Sequence, residues 1–379
     1  MSEKSAAGLW PFIIENYILL VAGTVAALLW ANVDHQSYEH FAGYLHFPVN
    51  DIGMAFFFAL AAKEIVEAML PGGALASPRE AGMPLLAAVG GMAGPALLFK
   101  LQVMLTHRPE MASGWAIPCA TDIAFSYMVA RLIFPRNHPA IPFLLMLAIA
   151  DDAFGLILLA LFYPAAPLSF VALSGFMAPA LGLAFWLKRR RVRNFWAYVW
   201  LAGSLSWAAL FFGGFHPALA LVPILPFMPH PQRDIGQFHA EQHGIPDTMN
   251  RFEHWWNTPV HVILFFFGLI NGGVAFSSVG SGTWIVLISL LAGKPLGILL
   301  MTFLAARFGL RAPGGLSYLH TAVLGTAAGI GFTVALFFAT AAFPAGRILD
   351  EAKMGALLSF LAGPIAIAFG RAVRLSPRP

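Results

Sequence analysis

The chain has 379 residues, of which 59% are hydrophobic and only 11% are charged. A soluble domain usually carries about 25% charged residues, so the composition excludes an ordinary soluble protein and indicates a polytopic membrane protein. The net charge of +4 does not indicate nucleic-acid binding, because the basic residues lie in short loops where they orient a membrane protein. The single cysteine, Cys119, excludes an internal disulfide.

Hydropathy predicts an all-α protein with about twelve membrane-spanning helices and no separate soluble domain, so residues 1–379 form one integral-membrane unit. Each span is near the length that a bilayer requires, although the eighth is short. The first span is too long for a signal peptide, and we expect it to be retained. The predicted spans are 11–31, 52–70, 81–101, 113–133, 140–163, 167–187, 195–212, 216–229, 258–276, 283–304, 319–342 and 352–374.

Lysine and arginine are distributed unevenly over the loops. If both termini lie on one side, sixteen of these residues fall on that side and four on the other. Because cytoplasmic loops carry the excess of basic residues, the distribution predicts that both termini are cytoplasmic. The basic run 188–193 could also contact anionic lipid headgroups, but topology alone explains it.

Span four contains a proline followed by polar residues within an apolar run. Pro118 lacks a backbone N–H and breaks a helix, and Thr121 and Asp122 favour unwound or capping backbone. The pattern predicts a discontinuous helix with a carboxylate at its break.

Span eleven carries Gly325, Gly329 and Gly331 at mid-depth. These glycines fit either a second interruption or close packing against a neighbouring helix, and the break in span four favours interruption. Interrupted helices at corresponding positions in two halves indicate a transporter's binding site. We therefore expect inverted repeats, with a core bundle over about 81–163 and 283–374.

Two adjacent carboxylates, Asp151 and Asp152, interrupt the apolar run 141–163. A carboxylate at the centre of a bilayer costs about 2.5–3.5 kcal/mol on insertion scales, so two together imply a water-filled cavity, a bound cation or a proton path. The pair predicts the central site of a small-cation transporter.

Lys294 lies in the middle of the tenth span, too deep to reach the interface easily. A buried lysine either loses its charge or pairs with a carboxylate, and Asp151 or Asp152 is the most economical partner. A purely structural ion pair is the alternative. One lysine against two aspartates nevertheless leaves one carboxylate free.

A free carboxylate in this position is typical of exchange. A hard cation such as Na⁺ or Li⁺ binds carboxylate, carbonyl and hydroxyl oxygens, and a close pair of carboxylates shares protons. Cation entry then displaces protons, and proton binding expels the cation. Such competition is sufficient for antiport if the site faces one side of the membrane at a time.

Glu64 and Glu67 lie near the cytoplasmic end of span two, with Lys63 beside them. Two interpretations are equally supported: a cluster that reaches the membrane interface, or a cytoplasmic funnel that attracts cations.

Several segments, taken together, resemble the bacterial NhaA-type sodium/proton antiporters, and they occur in the family's order over nearly the whole chain. Each segment is weak alone, but the set is highly specific. They are 90–92 (GGM), 115–125 (WAIPCATDIAF), 147–152 (LAIADD), 271–274 (NGGV), 293–297 (GKPLG) and 329–333 (GIGFT).

The resemblance implies a twelve-helix fold in which the interrupted helices four and eleven cross. It implies that Asp152 is the principal carboxylate for cation and proton, with Asp151 as its partner and ion pair to Lys294. Thr121 becomes a candidate oxygen ligand, and Asp122 compensates charge at the crossing. The implied activity is electrogenic exchange of Na⁺ or Li⁺ for protons in the bacterial inner membrane, activated at alkaline pH.

The resemblance also implies that Glu64, Glu67 and Glu253 belong to a cytoplasmic funnel or pH-sensing region. The implied partners are membrane lipids, the transported ions and a second copy of the chain, with no cofactor and no nucleic acid. The chain departs from the family pattern at Asn257, where the family has histidine. Its segment 32–51 is shorter than the family's dimerising β-hairpin.

Two other classes of function remain. A sodium-coupled symporter of a small organic solute can share this fold, but it needs a second cavity. An enzyme with two intramembrane aspartates is disfavoured, because a protease dyad draws its acids from separate segments and adjacent helical residues point about 100° apart.

Overall fold

The structure, a computed structural model, describes residues 17–135, 137–230, 247–310 and 313–373. Within these ranges the ordered elements are helices, and no β-strand is formed, so the predicted all-α class is confirmed. The start of the first predicted span, most of the loop 230–257 and the basic residues Lys4, Arg136, Arg233, Arg311, Arg374 and Arg378 lie outside the described residues.

The helices follow the predicted spans closely in most places. They are α1 (Ile18–Val33), α2 (His35–His46), α3 (Met54–Met69), α4 (Pro78–Leu105), α5 (Ile123–Ile133), α6 (Ala140–Phe162), α7 (Phe170–Arg189), α8 (Phe195–Gly213), α9 (Thr248–Asn271), α10 (Ser281–Arg307), α11 (Tyr318–Ala328), α12 (Phe332–Ala342) and α13 (Arg347–Ala372). Over the described residues, six helices are long and apolar enough to span a membrane, or eight if each of two bent helix pairs forms one span.

The predicted eighth span, 216–229, is not a continuous helix. It contains two short 3₁₀ turns, Pro217–Leu219 and Leu225–Phe227. Four prolines recur through the segment at positions 217, 223, 226 and 229, and each removes a backbone N–H that a helix needs. The segment is apolar enough for a span but cannot maintain the hydrogen-bond ladder.

The segment 32–51 is helical in large part. Asp34 caps α2 by accepting a hydrogen bond from the backbone N–H of Ser37 at 3.1 Å, a role in which Asp is strongly preferred. The chain then continues through a wider helical turn, Phe47–Gly53, into α3.

Both spans that were predicted to be interrupted are bent. The 3₁₀ segment Pro109–Cys119 meets α5 at 55°, and α11 meets α12 at 54°. Residues 120–122 in the first pair and 329–331 in the second connect the two legs. The sequence signals at Pro118 and at the paired glycines therefore mark real breaks.

Glycines allow α4 and α10 to cross in close contact. A Cβ atom at Gly297 would lie 2.0 Å from the carbonyl oxygen of Gly90, and one at Gly94 would lie 2.3 Å from that of Gly293. These distances are shorter than any van der Waals contact, so the crossing requires small residues. Because Lys294 lies between the two α10 glycines, this crossing fixes its position.

Candidate cation site at the two helix breaks

The two helix breaks lie against each other and satisfy each other's free backbone groups. The backbone N–H of Asp122 donates to the carbonyl oxygen of Ile330 at 2.7 Å. The Ser126 hydroxyl donates to the carbonyl oxygen of Ala327 at 2.9 Å. Non-helical backbone is tolerated at membrane depth only where its polar groups find partners, and each break supplies them for the other.

Asp122 is buried at this contact and caps α12. Its Oδ2 accepts hydrogen bonds from the Thr333 hydroxyl at 2.5 Å and from the Thr333 backbone N–H at 3.3 Å. A helix N-terminus carries a partial positive charge, so a carboxylate here is electrostatically favoured. Asp122 therefore stabilises the break, which agrees with the place that the sequence predicts for it.

Asp151 is held by three elements at once. Its Oδ2 accepts a hydrogen bond from the Thr121 hydroxyl at 2.6 Å and lies 3.0 Å from the Lys294 ammonium. Lys294 also donates to the carbonyl oxygen of Cys119 at 2.5 Å, a backbone acceptor next to the break. The pairing of Lys294 is thus with Asp151. We call Asp151, Asp152, Thr121 and Lys294 the aspartate site.

The second oxygen of Asp151 has no hydrogen-bond partner, although the side chain is only 1% exposed. A Cβ atom built at Gly91 would lie 3.6 Å from this oxygen. A buried carboxylate oxygen without a donor is costly, so the position is suited to a water molecule or a cation.

Asp152 lies in a different environment from its neighbour. Within the described residues its side chain has neither a hydrogen bond nor an ion pair, and it borders a cavity together with Asp151 and Ala120. The cavity volume of about 20 Å³ is enough for about one water molecule or one small cation. Its remaining walls are mostly apolar, formed by residues such as Phe57, Phe58, Leu158, Leu159, Val334 and Phe338.

Two of the three predicted funnel carboxylates, Glu67 and Glu253, contact another buried lysine, Lys63. Lys63 Nζ lies 2.5 Å from Glu67 Oε2 and 2.5 Å from Glu253 Oε2. We call these three residues the Lys63 cluster. Glu64 lies beside the cluster, and its charge interacts with that of Asp152. The structure therefore brings together residues of α3 and α9 that are 190 positions apart.

The family model for Na⁺/H⁺ antiporter 1 matches residues 14–369 of the chain. The chain belongs to this family. Similar proteins include the Na(+)/H(+) antiporter NhaA of Geotalea uraniireducens, which is 46% identical over 373 residues and covers 96% of both chains. The Na(+)/H(+) antiporter NhaA of Jannaschia sp. is 44% identical over 408 residues, covering 96% of this chain and 97% of its own.

The fold is also found among solved structures. The sodium proton antiporter MjNhaP1 from Methanocaldococcus jannaschii, solved at pH 8, matches with a TM-score of 0.55 at 15% identity. The match covers 95% of this chain and 91% of that one. The two proteins therefore share a fold despite their low sequence identity. The family assignment explains why the motifs occur in order along the chain.

Sequence reasoning did not identify the polar network around Glu351. This carboxylate is buried, accepts a hydrogen bond from the Gly282 N–H at 2.8 Å and lies 3.3 Å from Arg108 and 3.1 Å from Arg347. Arg108 also hydrogen bonds to Ser281. The only local signal is the spacing of Arg347 and Glu351 by four residues, typical of one helix face. The network joins the loop after α4, which carries Arg108, to the N-terminal ends of α10 and α13.

Proposed function

We propose that this antiporter-family protein exchanges cytoplasmic Na⁺ or Li⁺ for external protons across the bacterial inner membrane. The observation that carries the proposal is the asymmetry of the two aspartates. Asp151 is occupied by Lys294 and Thr121, whereas Asp152 borders the cavity and has no ionic partner among the described residues. The names of the relatives at about 45% identity support the same activity.

Asp152 is the group for which cation and proton compete. As a carboxylate it offers the hard oxygen ligand that Na⁺ and Li⁺ prefer, and when it takes a proton it loses the charge that attracts them. The Thr121 hydroxyl, which donates to Asp151 Oδ2, and the unpartnered Asp151 Oδ1 are the further candidate oxygen ligands. Exchange follows when the site opens to one side of the membrane at a time.

Lys294 and Asp122 provide fixed compensation of charge. Lys294 offsets the charge of Asp151, so the net charge of the empty site is that of Asp152. The partial positive charge at the N-terminus of α12 partly offsets the charge of Asp122. With Lys294 and Asp151 held as an ion pair, Asp152 alone exchanges one proton for one Na⁺, so electrogenic exchange requires a second group at the site to carry a proton as well.

We also infer the finer architecture from the family. The chain would have twelve transmembrane spans in inverted repeats, with helices four and eleven crossing and both termini in the cytoplasm. The contact between the two breaks supports the crossing, and the close packing of α4 on α10 supports one core bundle. A homodimer, without a β-hairpin over 32–51, is part of the same inference.

The test is collapse of a proton gradient in proteoliposomes on addition of Na⁺, Li⁺ or K⁺, for wild type and Asp152→Asn. The proposal predicts collapse with Na⁺ or Li⁺ that disappears in the variant. A silent wild type between pH 6.5 and 9, about the range in which such groups exchange protons, would contradict it. Solute uptake driven by Na⁺ would favour the symporter instead.

A further inference from the structure

Four buried side-chain polar atoms in the described part of the chain have no hydrogen-bond partner: Asp151 Oδ1, Tyr198 OH, Trp256 Nε1 and His261 Nε2. Such atoms are rare, and each calls for an explanation. Asp151 belongs to the aspartate site. The Tyr198 hydroxyl and the Trp256 N–H are donors that keep their hydrogens near neutral pH. His261 Nε2 is the remaining atom that can take up and release a proton near neutrality.

The second nitrogen of His261 defines the state of the first. His261 Nδ1 lies 2.7 Å from the carbonyl oxygen of Asn257. A carbonyl oxygen can only accept, so Nδ1 carries the hydrogen and the neutral ring presents the lone pair of Nε2. The side chain is 6% exposed. A proton acceptor is thus buried in α9 in a fixed orientation, with nothing donating to it.

The Tyr17 ring is a neighbour both of His261 and of the first turn of α5. The Tyr17 ring lies 4.8 Å from the His261 ring and 6.3 Å from the ring of Phe125, in the first turn after the break. The Tyr17 phenol interacts electrostatically with three carboxylates, those of Asp122, Glu64 and Asp152. Its backbone is left-handed, with φ of 53°, a conformation that is uncommon outside glycine and recurs at functional sites.

We propose that His261, together with Tyr17, is a proton relay between solvent and the aspartate site. Nε2 accepts a proton from the solvent side to form the imidazolium, and the imidazolium gives this proton to the Tyr17 oxygen as the Tyr17 hydroxyl passes its own proton to a carboxylate. Throughout, Nδ1–H stays hydrogen-bonded to the Asn257 carbonyl oxygen. The carboxylates whose charges act on Tyr17 are Asp122 at the break, Glu64 of α3 and Asp152 of α6. The inference rests on the proposed exchange activity.

A structural role alone does not account for this histidine. An apolar side chain would pack against Tyr17 without leaving a buried acceptor unsatisfied, and the unsatisfied nitrogen is a cost to folding. The left-handed backbone of Tyr17 adds a second local cost. Both costs fall on His261 and Tyr17, the two residues of the proposed relay.

The experiment compares four single variants in proteoliposomes at saturating Na⁺ from pH 6 to 9. His261→Phe keeps a ring beside Tyr17 but removes both nitrogens, and His261→Gln keeps an acceptor that does not titrate. Tyr17→Phe removes only the hydroxyl. Tyr198→Phe is the matched control, because it also removes a buried polar atom without a partner. Direct ²²Na⁺ binding is measured on the same samples.

The relay predicts that both His261 variants and Tyr17→Phe lower the maximal exchange rate about tenfold, a modest fraction of the effect of general acid–base groups in enzymes. The loss should be greatest at alkaline pH, where protons are scarce, with Na⁺ affinity unchanged within about twofold. Tyr198→Phe should match the wild type.

Wild-type rates in folded His261→Gln or His261→Phe would overturn the relay and leave the exchange activity intact. Equal loss of Na⁺ affinity and rate would also overturn it, since that pattern reports a distorted site. A wild type without exchange would instead refute the proposed function. The double variant Tyr17→Phe/His261→Phe should be no slower than either single variant, because both act in one route.

Discussion

Two of the buried lysines, Lys294 and Lys63, differ in how many carboxylates they contact. Lys294 contacts a single carboxylate, Asp151, and the neighbouring Asp152 borders a cavity with no ionic partner in the described part of the chain. Lys63 contacts two carboxylates at once, Glu67 and Glu253. At the aspartate site only one of the two aspartates contacts the lysine. In the Lys63 cluster both carboxylates contact it.

The same residue types form the proposed cation site in one place and a contact between two helices in the other. The Lys63 cluster joins α3 to α9, and its carboxylates keep 15% and 30% of their side-chain surface exposed, so water can solvate them. At the aspartate site, Lys294 and Asp151 are 0% and 1% exposed. Charge there can be balanced only by protein groups, a proton or a cation.

The largest expected effect separates the two regions directly. Asp152→Asn removes a charge and a proton acceptor without changing the shape of the side chain, so exchange should fall by about 100-fold or more, equivalent to about 3 kcal/mol at 1.4 kcal/mol per tenfold. Glu67→Gln should lower exchange by less than about threefold, because Glu253 still pairs with Lys63. Initial rates of Na⁺-driven proton movement measure both, and equal losses would remove the distinction.

The paired lysine variants give the next largest effect, on stability. Lys294→Ala leaves Asp151 as an unpaired buried carboxylate, which costs about 3–5 kcal/mol in soluble proteins. Lys63→Ala leaves two partly exposed carboxylates, and its cost should be smaller, about 1–2 kcal/mol. Thermal unfolding in detergent at pH 8 measures the difference. The double variant Lys294→Ala/Asp151→Ala should recover part of the loss, and a Lys63→Ala protein less stable than Lys294→Ala would contradict the comparison.

The third prediction concerns the helix crossing that positions Lys294. Gly297→Ala would place a methyl group 2.0 Å from the Gly90 carbonyl oxygen, so α4 and α10 must separate, at a cost of about 1–3 kcal/mol. Gly175→Ala in α7 is the control, since a Cβ atom there meets nothing within 4 Å. Melting temperature and exchange rate should both fall in the first variant and stay unchanged in the second. A neutral Gly297→Ala would show that the crossing does not fix the site.

The smallest effect concerns a histidine pair outside both regions. Burial, and then the neighbouring His320, lower the pKa of His138 below its usual range. Since the pKa is about 6.5 in an unfolded chain, the stabilisation is present above that pH and is lost as pH falls toward the lower pKa of the folded state. His138→Asn can still accept the hydrogen bond from the Ala140 N–H, so its melting temperature should fall less between pH 8 and 5 than that of the wild type. An equal or steeper fall in the variant would show that His138 does not titrate in this way.

The aspartate site was predictable from the sequence because its signals are local and costly. Paired aspartates in an apolar run, a proline before Thr121 and Asp122, and a lysine at mid-span each violate the composition of a membrane helix. These violations mark the positions to which we assign the proposed cation site. The partner of Lys294 could not be chosen between Asp151 and Asp152 from residues alone, because adjacent side chains on a helix point in different directions.

The contacts between distant segments were not predictable. The Lys63 cluster joins residues 190 positions apart, and the network of Glu351 depends on how the loop after α4 meets α10 and α13. Hydropathy predicts a helical span over 216–229. Its prolines remove backbone N–H groups that a helix needs, and hydropathy does not measure this loss. The orphaned nitrogen of His261 is visible only once the neighbours of α9 are placed.

The most direct test of the account is the number of protons released when Na⁺ binds to purified protein. Isothermal titration in buffers of different ionisation enthalpy, at several pH values, measures it for wild type and Asp152→Asn. Competition at Asp152 predicts proton release on Na⁺ binding, an affinity that weakens as pH falls, and loss of both in the variant. Sodium binding without proton release, or binding that persists in Asp152→Asn, would contradict the account.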